Sequence, residues 1–398
     1  MIAGWWQRRA EQREIRRAAD LHQEGVQLLR KRQPEEAERA FKEAVRLRAE
    51  RLGPEAALTL ESEISLAEAL RQLGFQGEAV DKLREVVSRS RAALGEGHDT
   101  TCLAEIRLAN HLIVTGRPAE AEEQALAVLA VRHGRDDFRL RAADVRLRAV
   151  SAQGRHREAA DGALPLTEDY AAMHGKHGLL TLKVRSDRVQ DLIFLGEYAQ
   201  AESECRTVMG ILPTGNLFWL AVNNALVLAL VGMKRYEEAE ATARAALKHA
   251  HKGIPALSSV RLVLQLGLAR VLAACGQNME ALQITEDAKT EFLADPRSWA
   301  TLQAALGIVT ATALLGLGRF EEAESEVRRA LANALSTYSA VHYTALEAGT
   351  LLGTVLAACG QRTEAQHQLE SCVSGWHKHF GPDHSMTVAA TAKLDMLR

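Results

Sequence analysis

Gly74-Phe75-Gln76-Gly77-Glu78-Ala79 is the stretch that decides the fold, because its pattern, Gly-x-x-x-Glu-Ala, returns along the whole chain. The closing alanine recurs at Ala37, Ala79, Ala121, Ala159, Ala201, Ala239, Ala281, Ala323 and Ala365. Its spacings are 42, 42, 38, 42, 38, 42, 42 and 42 residues. A period in that range builds a stack of supersecondary units, each of which buries its apolar face only against its neighbours. Length alone would divide 398 residues into two or three domains,. A continuous stack can instead run the length of the chain.

Residues 58–95 show one unit. Leu60, Ile64, Leu66, Ala67, Leu70 and Leu73 recur at helical spacing, and Gly74 ends that helix as a left-handed cap,. Glu78-Ala79 opens a second helix with Val80, Leu83, Val86 and Val87 as its apolar face, and Leu94-Gly95 closes it. Each repeat therefore reads as a helix–turn–helix hairpin, with helix A before the turn and helix B after it. The repeat alanine lets the two backbones approach. Twelve residues earlier a second small position reads Gly25, Ala67, Ala109, Ala269, Ala311 and Gly353, but Leu147, Val189 and Val227 in the middle, where looser packing is expected. Nine residues before each alanine an apolar residue holds throughout, from Leu28 to Leu356. That row is core.

The connections between repeats carry a second signature: Leu52-Gly-Pro-Glu-Ala-Ala-Leu-Thr59, Leu94-Gly-Glu-Gly-His-Asp-Thr-Thr101, His174-Gly-Lys-His-Gly-Leu-Leu-Thr181 and Phe380-Gly-Pro-Asp-His-Ser-Met-Thr387. Together with the small-small-alanine hairpins it resembles tetratricopeptide repeats, in the long form of kinesin light chains and their bacterial relatives. The resemblance implies an all-α, right-handed superhelix of nine hairpins over residues 17–380. A Trp/Arg-rich cap at 1–16 and a capping helix at 381–398 would complete it. It also implies a ligand groove lined by the A helices at positions 18, 15, 14, 11 and 8 before each alanine. Carried onto this sequence, that register selects Arg107, Asn110, Asp144, Arg148, Lys183, Asp187, Gln190, Asn224, Leu228, Arg270, Thr312 and Thr354. The N-terminal half of the groove is then charged in both signs, and the C-terminal half is small and apolar. The Asn-Asn pair with which kinesin-light-chain-like repeats hold a peptide backbone is replaced by Ile64-Ser65, Ile106-Arg107, Ser186-Asp187 and Ile308-Val309, and only Asn224 matches.

Several classes of function fall away. Basic and acidic residues nearly cancel, 49 against 51, so no net field draws the chain to nucleic acid,. Gly175-Lys176 is followed by His177 and lacks the glycine spacing of a phosphate loop; no nucleophile elbow, zincin motif or paired Cys-x-x-Cys occurs,. Five scattered cysteines read as reduced, buried, small apolar residues and suggest a reducing, cytoplasmic setting,. His377, His379 and His384 read as a solvated helix end rather than a metal site. Leu217–Val231 is apolar enough to suggest a membrane span, but it is short, contains Asn223 and Asn224, and falls in register as a buried helix,. Trp5 and Trp6 beside Arg8 and Arg9 leave a weak case for a membrane surface. The expectation is a non-enzymatic interaction scaffold or adaptor, with a protein or peptide partner and no cofactor or metal. A peptide-responsive regulator is the alternative, and homodimerisation stays open.

Overall fold

The structure, a computed structural model, describes residues 2–131, 136–215, 217–253, 259–294 and 300–398. The side chains of Trp5, Trp6, Arg8, Arg9 and His251 lie outside the described residues. Among those described the secondary structure is helical, in nineteen α-helices and no strand. The chain divides into two compact units, Met1–Arg146 and Leu147–Arg398.

Unit 1 contains α1 (Ile2–Arg30), α2 (Pro34–Leu52), α3 (Ala57–Gln72), α4 (Gln76–Leu94), α5 (Asp99–Val114), α6 (Pro118–Ala130) and the start of α7 (Asp136–Ala152). Unit 2 contains the end of α7, then α8 (His156–His174), α9 (Leu179–Phe194), α10 (Tyr198–Ile211), α11 (Leu217–Gly232) and α12 (Tyr236–Gly253). It continues with α13 (Ser259–Ala274), α14 (Asn278–Ala294), α15 (Ala300–Gly316), α16 (Phe320–Thr337), α17 (Tyr343–Ala358), α18 (Arg362–Phe380) and α19 (Ser385–Asp395). The odd-numbered helices up to α17 are the A helices of the nine repeats.

One turn, repeated nine times, makes the hairpins. The residue five before each alanine is left-handed: Gly74, Gly116, Gly154, Gly196, Gly276, Gly318 and Gly360, with Arg32 (φ 59°) and Lys234 (φ 60°) in the other two repeats. The next N–H reaches back to the carbonyl of the apolar residue nine before the alanine, as in Phe75 N to Leu70 O (3.0 Å) and Arg319 N to Leu314 O (3.0 Å). That six-residue closure satisfies helix A's orphan carbonyls. The alanine N–H then bonds the same turn, Ala79 N to Phe75 O at 3.0 Å, and helix B begins at once.

Packing follows the two sequence rows. All nine repeat alanines are buried, as are the apolar residues nine before them except the half-buried Leu28. Close approach is real at Gly25, where a Cβ would meet the Phe41 ring at 2.7 Å, and at Gly353, where it would meet Leu369 at 2.6 Å. In the fourth repeat the small residue has changed helices. Leu147 replaces it on α7, and Gly162 of α8 makes room, a Cβ there lying 2.6 Å from Leu147.

The second signature builds the connections. Thr59, Thr101, Thr181 and Thr387 donate their hydroxyls to the carbonyls of Gly53, Gly95, Gly175 and Gly381 at 2.8–2.9 Å. These four glycines are left-handed as well. The signature histidine is an N-cap: His98 Nδ1 accepts from Thr100 N (3.1 Å) and His384 Nδ1 from Met386 N (3.2 Å),. His384 is thus buried and structural, which corrects its reading as part of a solvated helix end. Cys102, Cys205 and Cys372 are buried, but Cys275 is exposed and Cys359 half-buried, because their register lies at the hairpin turn. The apolar α11 is a buried helix, with Leu220, Val222, Leu226, Val227 and Leu230 in the core. Among the described residues no helix is long and apolar enough to cross a membrane.

Candidate functional site

In unit 1 the A helices α3, α5 and α7 gather charge. Glu68 receives Arg71 (2.6 and 3.1 Å), Gln72 (3.2 Å) and, from the next A helix, His111 Nε2 (3.3 Å). Burial pushes the Glu68 carboxyl up, but these bonds and the Arg71 charge outweigh it and hold it well below the usual carboxylate range,. Arg107 stands one turn before His111 on the same face. It is exposed, yet neighbouring protein still strips water from its charge; Glu68 favours the cation, whereas Arg141 and Arg71 repel it, and its pKa is lowered. Arg141 leans on Asp137 (3.7 Å) and over the Phe138 ring. Asn110 Nδ2 donates to Ile106 O (2.8 Å), and Asp144 is half-buried. Arg107 therefore stands among the like charges of Arg71 and Arg141, beside a Glu68 carboxylate already supplied with donors.

In unit 2, Arg148 is half-buried on α7, Lys183 pairs with Asp187 at 2.7 Å on α9, and Gln190 is half-buried one turn on. Asn224 of α11 presses Oδ1 against Gly267 of α13, where a Cβ would sit only 2.2 Å away. That oxygen, with those of buried Asn223 and of Gln265, finds no hydrogen-bond partner among the described residues. Leu228 packs half-buried against the core. Arg270 of α13 reaches Glu347 of α17, two repeats on, at 2.5 Å. The Glu347 charge raises the Arg270 pKa against the opposing effect of burial. Thr312 and Thr354 turn their hydroxyls back to Ile308 O and Thr350 O, both at 2.8 Å,.

The apolar positions expected to line an open groove are largely closed. Leu266 and Ile308 are buried in separate core clusters. Thr350 is buried beneath the Trp376 indole, whose Nε1 donates to it at 2.9 Å. The position fifteen before the alanine is covered here by residues of neighbouring B helices as well as A helices, which the spacing alone does not reveal. Glu347 lies eighteen before Ala365, on the groove register itself, but was not singled out; the rings near it, Tyr343 and Tyr198, lie off that register. His342 had a signal: it lies nineteen residues after Ala323, as His98 and His384 do after their own alanines.

One constellation has the composition of a hydrolase triad. His156 Nδ1 and Ser151 Oγ both bond Asp191 Oδ1, at 2.8 and 2.6 Å. The serine thus binds the carboxylate instead of facing Nε2, which has no hydrogen-bond partner among the described residues. That geometry gives the hydroxyl no general base on the far ring nitrogen.

The family description tetratricopeptide repeat matches residues 59–99 and 346–385. Over those two stretches the chain carries tetratricopeptide repeats. The matched stretches are the second repeat and the ninth, those in which both signatures are most complete. Among curated proteins none matches. Of solved structures, a Rap protein complexed with competence and sporulation factor aligns with a TM-score of 0.53 at 10% identity, covering 85% of this chain and 99% of that one. A Podosopora anserina protein described as a kinesin light chain with nearly identical TPR-like repeats is 23% identical, with a TM-score of 0.36, over 50% of this chain and 95% of its own. A tetratricopeptide repeat protein from Parabacteroides merdae is 15% identical, with a TM-score of 0.38, over 84% of this chain and 99% of its own. The Rap likeness is one of fold. The two tetratricopeptide signatures thus account for both the hairpin turn and the capped connection.

Proposed function

We propose that the chain is a protein-interaction scaffold that takes a segment of a partner polypeptide along the A-helix faces. Arg107, Asn110 and Asp144 would make the contacts in unit 1, and Arg148, Lys183, Asp187, Gln190, Asn224, Leu228, Arg270, Thr312 and Thr354 those in unit 2. The observation that carries this reading is Arg107. A guanidinium placed near Arg71 and Arg141, beside a Glu68 carboxylate that other donors already engage, is disfavoured as a cation in the free protein,. A partner carboxylate would offset this, which makes the site acceptor-seeking. Arg270 differs, because a ligand reaching it must compete with Glu347.

Binding is tested by capture from native lysate with the wild type and with Arg107→Glu combined with Arg148→Glu. The expected result is a partner retained by the wild type and lost from the double variant, with helicity and melting unchanged. A partner kept by both proteins would remove these arginines from the interface.

A second reading, a regulator whose repeats close on a signal peptide, is favoured by one feature. Unit 2 touches itself across nearly 190 residues of sequence. Compaction in solution scattering on adding a captured peptide would select the regulator over a scaffold that binds without changing shape.

A further inference from the structure

The self-contact of unit 2 is a seam between two hairpin turns and two connections. At the turn joining α7 and α8, Ser339 donates Oγ to Gln153 O (2.8 Å) and its N–H to Ala152 O (3.5 Å). Gly154 lies so close to Val341 that a Cβ would stand 2.9 Å from the carbonyl oxygen. At the turn joining α9 and α10, His384 Nε2 donates to Phe194 O (3.0 Å), and the Tyr198 hydroxyl meets Ser385 Oγ (3.4 Å). Rings fill the space between. Phe194 stacks on Tyr343 at 4.8 Å, His156 meets His342 edge-on at 5.0 Å, His342 stacks on Tyr338 at 4.0 Å, and His384 stacks on Trp376 at 5.6 Å.

This joint is unlike the rest of the stack. Elsewhere helices bury continuous apolar faces against their neighbours, whereas here turns meet connections through a few bonds and rings, three of them imidazoles. Such joints belong to the low-energy end of local opening. We propose that the seam is a clasp that opens and recloses as a unit and that mild acid opens it, freeing the edge of unit 2 while its hairpins stay folded.

The sign follows from the histidines. Burial pushes His342 well below its ordinary 6.5, and the His156 charge adds to this. His384 is lowered too, by burial first, with the Phe194 carbonyl opposing and His156 adding. A histidine released to water titrates near 6.5, so the open state takes up protons that the closed state refuses. Closure is fully favoured above about pH 6.5 and loses up to about tenfold per pH unit per histidine below it. Protonating His342 also removes the Nδ1 lone pair that caps Thr344 N (3.1 Å).

The groups facing these histidines are His156 and, behind it, Asp191; Tyr338 and Tyr343; and, around Tyr343, Tyr198, Arg270 and Glu347. Asp191 works in the opposite sense. Burial raises its carboxyl, with His156 and Ser151 opposing, so the closed state holds its proton more readily. One carboxyl offsets at most one proton, against two histidines. Tyr338 and Tyr343, both raised by burial, stay neutral throughout this range.

Hydrogen exchange of the full chain at pH 7.5 and 5.5, corrected for intrinsic rates, reads the clasp over residues 338–346 and 384–390. In the wild type their protection should fall about tenfold at the lower pH, while residues 220–230 of α11 stay protected. His342→Asn keeps an N-cap acceptor but cannot titrate, so the fall should shrink. Gly154→Ala should lower protection of 338–346 at both pH values. Its control is Gly276→Ala, which has the same kind of left-handed turn (φ 78° against 85°) but open space around the added methyl, and should leave that stretch unchanged. Equal protection of the seam at both pH values overturns the proposal. So does joint loss of α11 and the seam in acid, or equal effects of the two alanine variants on 338–346.

Discussion

Lys234 and Arg32 sit in left-handed backbone at the hairpin position that seven other repeats give to glycine. An L-residue there costs roughly 1–2 kcal/mol, of which glycine recovers a part because it has more freedom to lose on folding. Lys234→Gly is therefore expected to stabilise unit 2 by about 0.5–1 kcal/mol, read as a higher urea midpoint at unchanged slope. A lower midpoint would mean that the Lys234 side chain contributes more than its backbone costs. Residues of this kind were legible in the sequence, since a missing glycine in an otherwise fixed pattern names its own position. Arg270 and its partner Glu347, 77 residues on, both stand on the groove register, but nothing in the spacing pairs them. Spacing locates a side chain on a helix face and is silent about which distant charge that face meets.

At the scale of elements, the hairpin and the connection each depend on one polar device. The left-handed turn closes helix A, and the Gly–Thr bond with the histidine cap starts the next one. His98→Ala removes the acceptor from Thr100 N and should cost about 1 kcal/mol, whereas His98→Asn should restore most of it. Thermal melting of the two variants decides: equal losses would show that the imidazole acts by packing rather than as a cap. Helix order, hairpin turns and the alanine and leucine rows were all readable, because each repeats at a fixed interval. The exchange of Leu147 for Gly162 was half-readable. The large residue announced looser packing, while the structure compensates with a glycine on the facing helix. Compensation between helices leaves no periodic trace. The groove's apolar half is closed for a related reason, because Leu266, Ile308 and Thr350 are covered by side chains of neighbouring helices that the spacing does not identify.

At the scale of the molecule, the two units hold together differently. In unit 1 side-chain bonds join neighbouring repeats, as His111 does to Glu68 across 43 residues. Stability in such an array is a sum of local terms, and damage at one end fades with distance along the chain. Unit 2 adds bonds across 186–190 residues, so its first hairpins and its last are neighbours in space. No period encodes that contact, which is why the sequence reading stopped at a stack of hairpins. The difference is measurable by ending the chain at residue 383, which removes His384 and α19. A nearest-neighbour array would then lose protection in α17 and α18 alone. With the seam in place, hydrogen exchange at residues 194–198 should quicken as well, because Phe194 O loses its His384 donor and Tyr198 loses Ser385. Residues 262–272, which lie between these regions in sequence, should stay protected. Loss confined to residues 343–380 would show that the seam contributes nothing to the stability of the turns it touches.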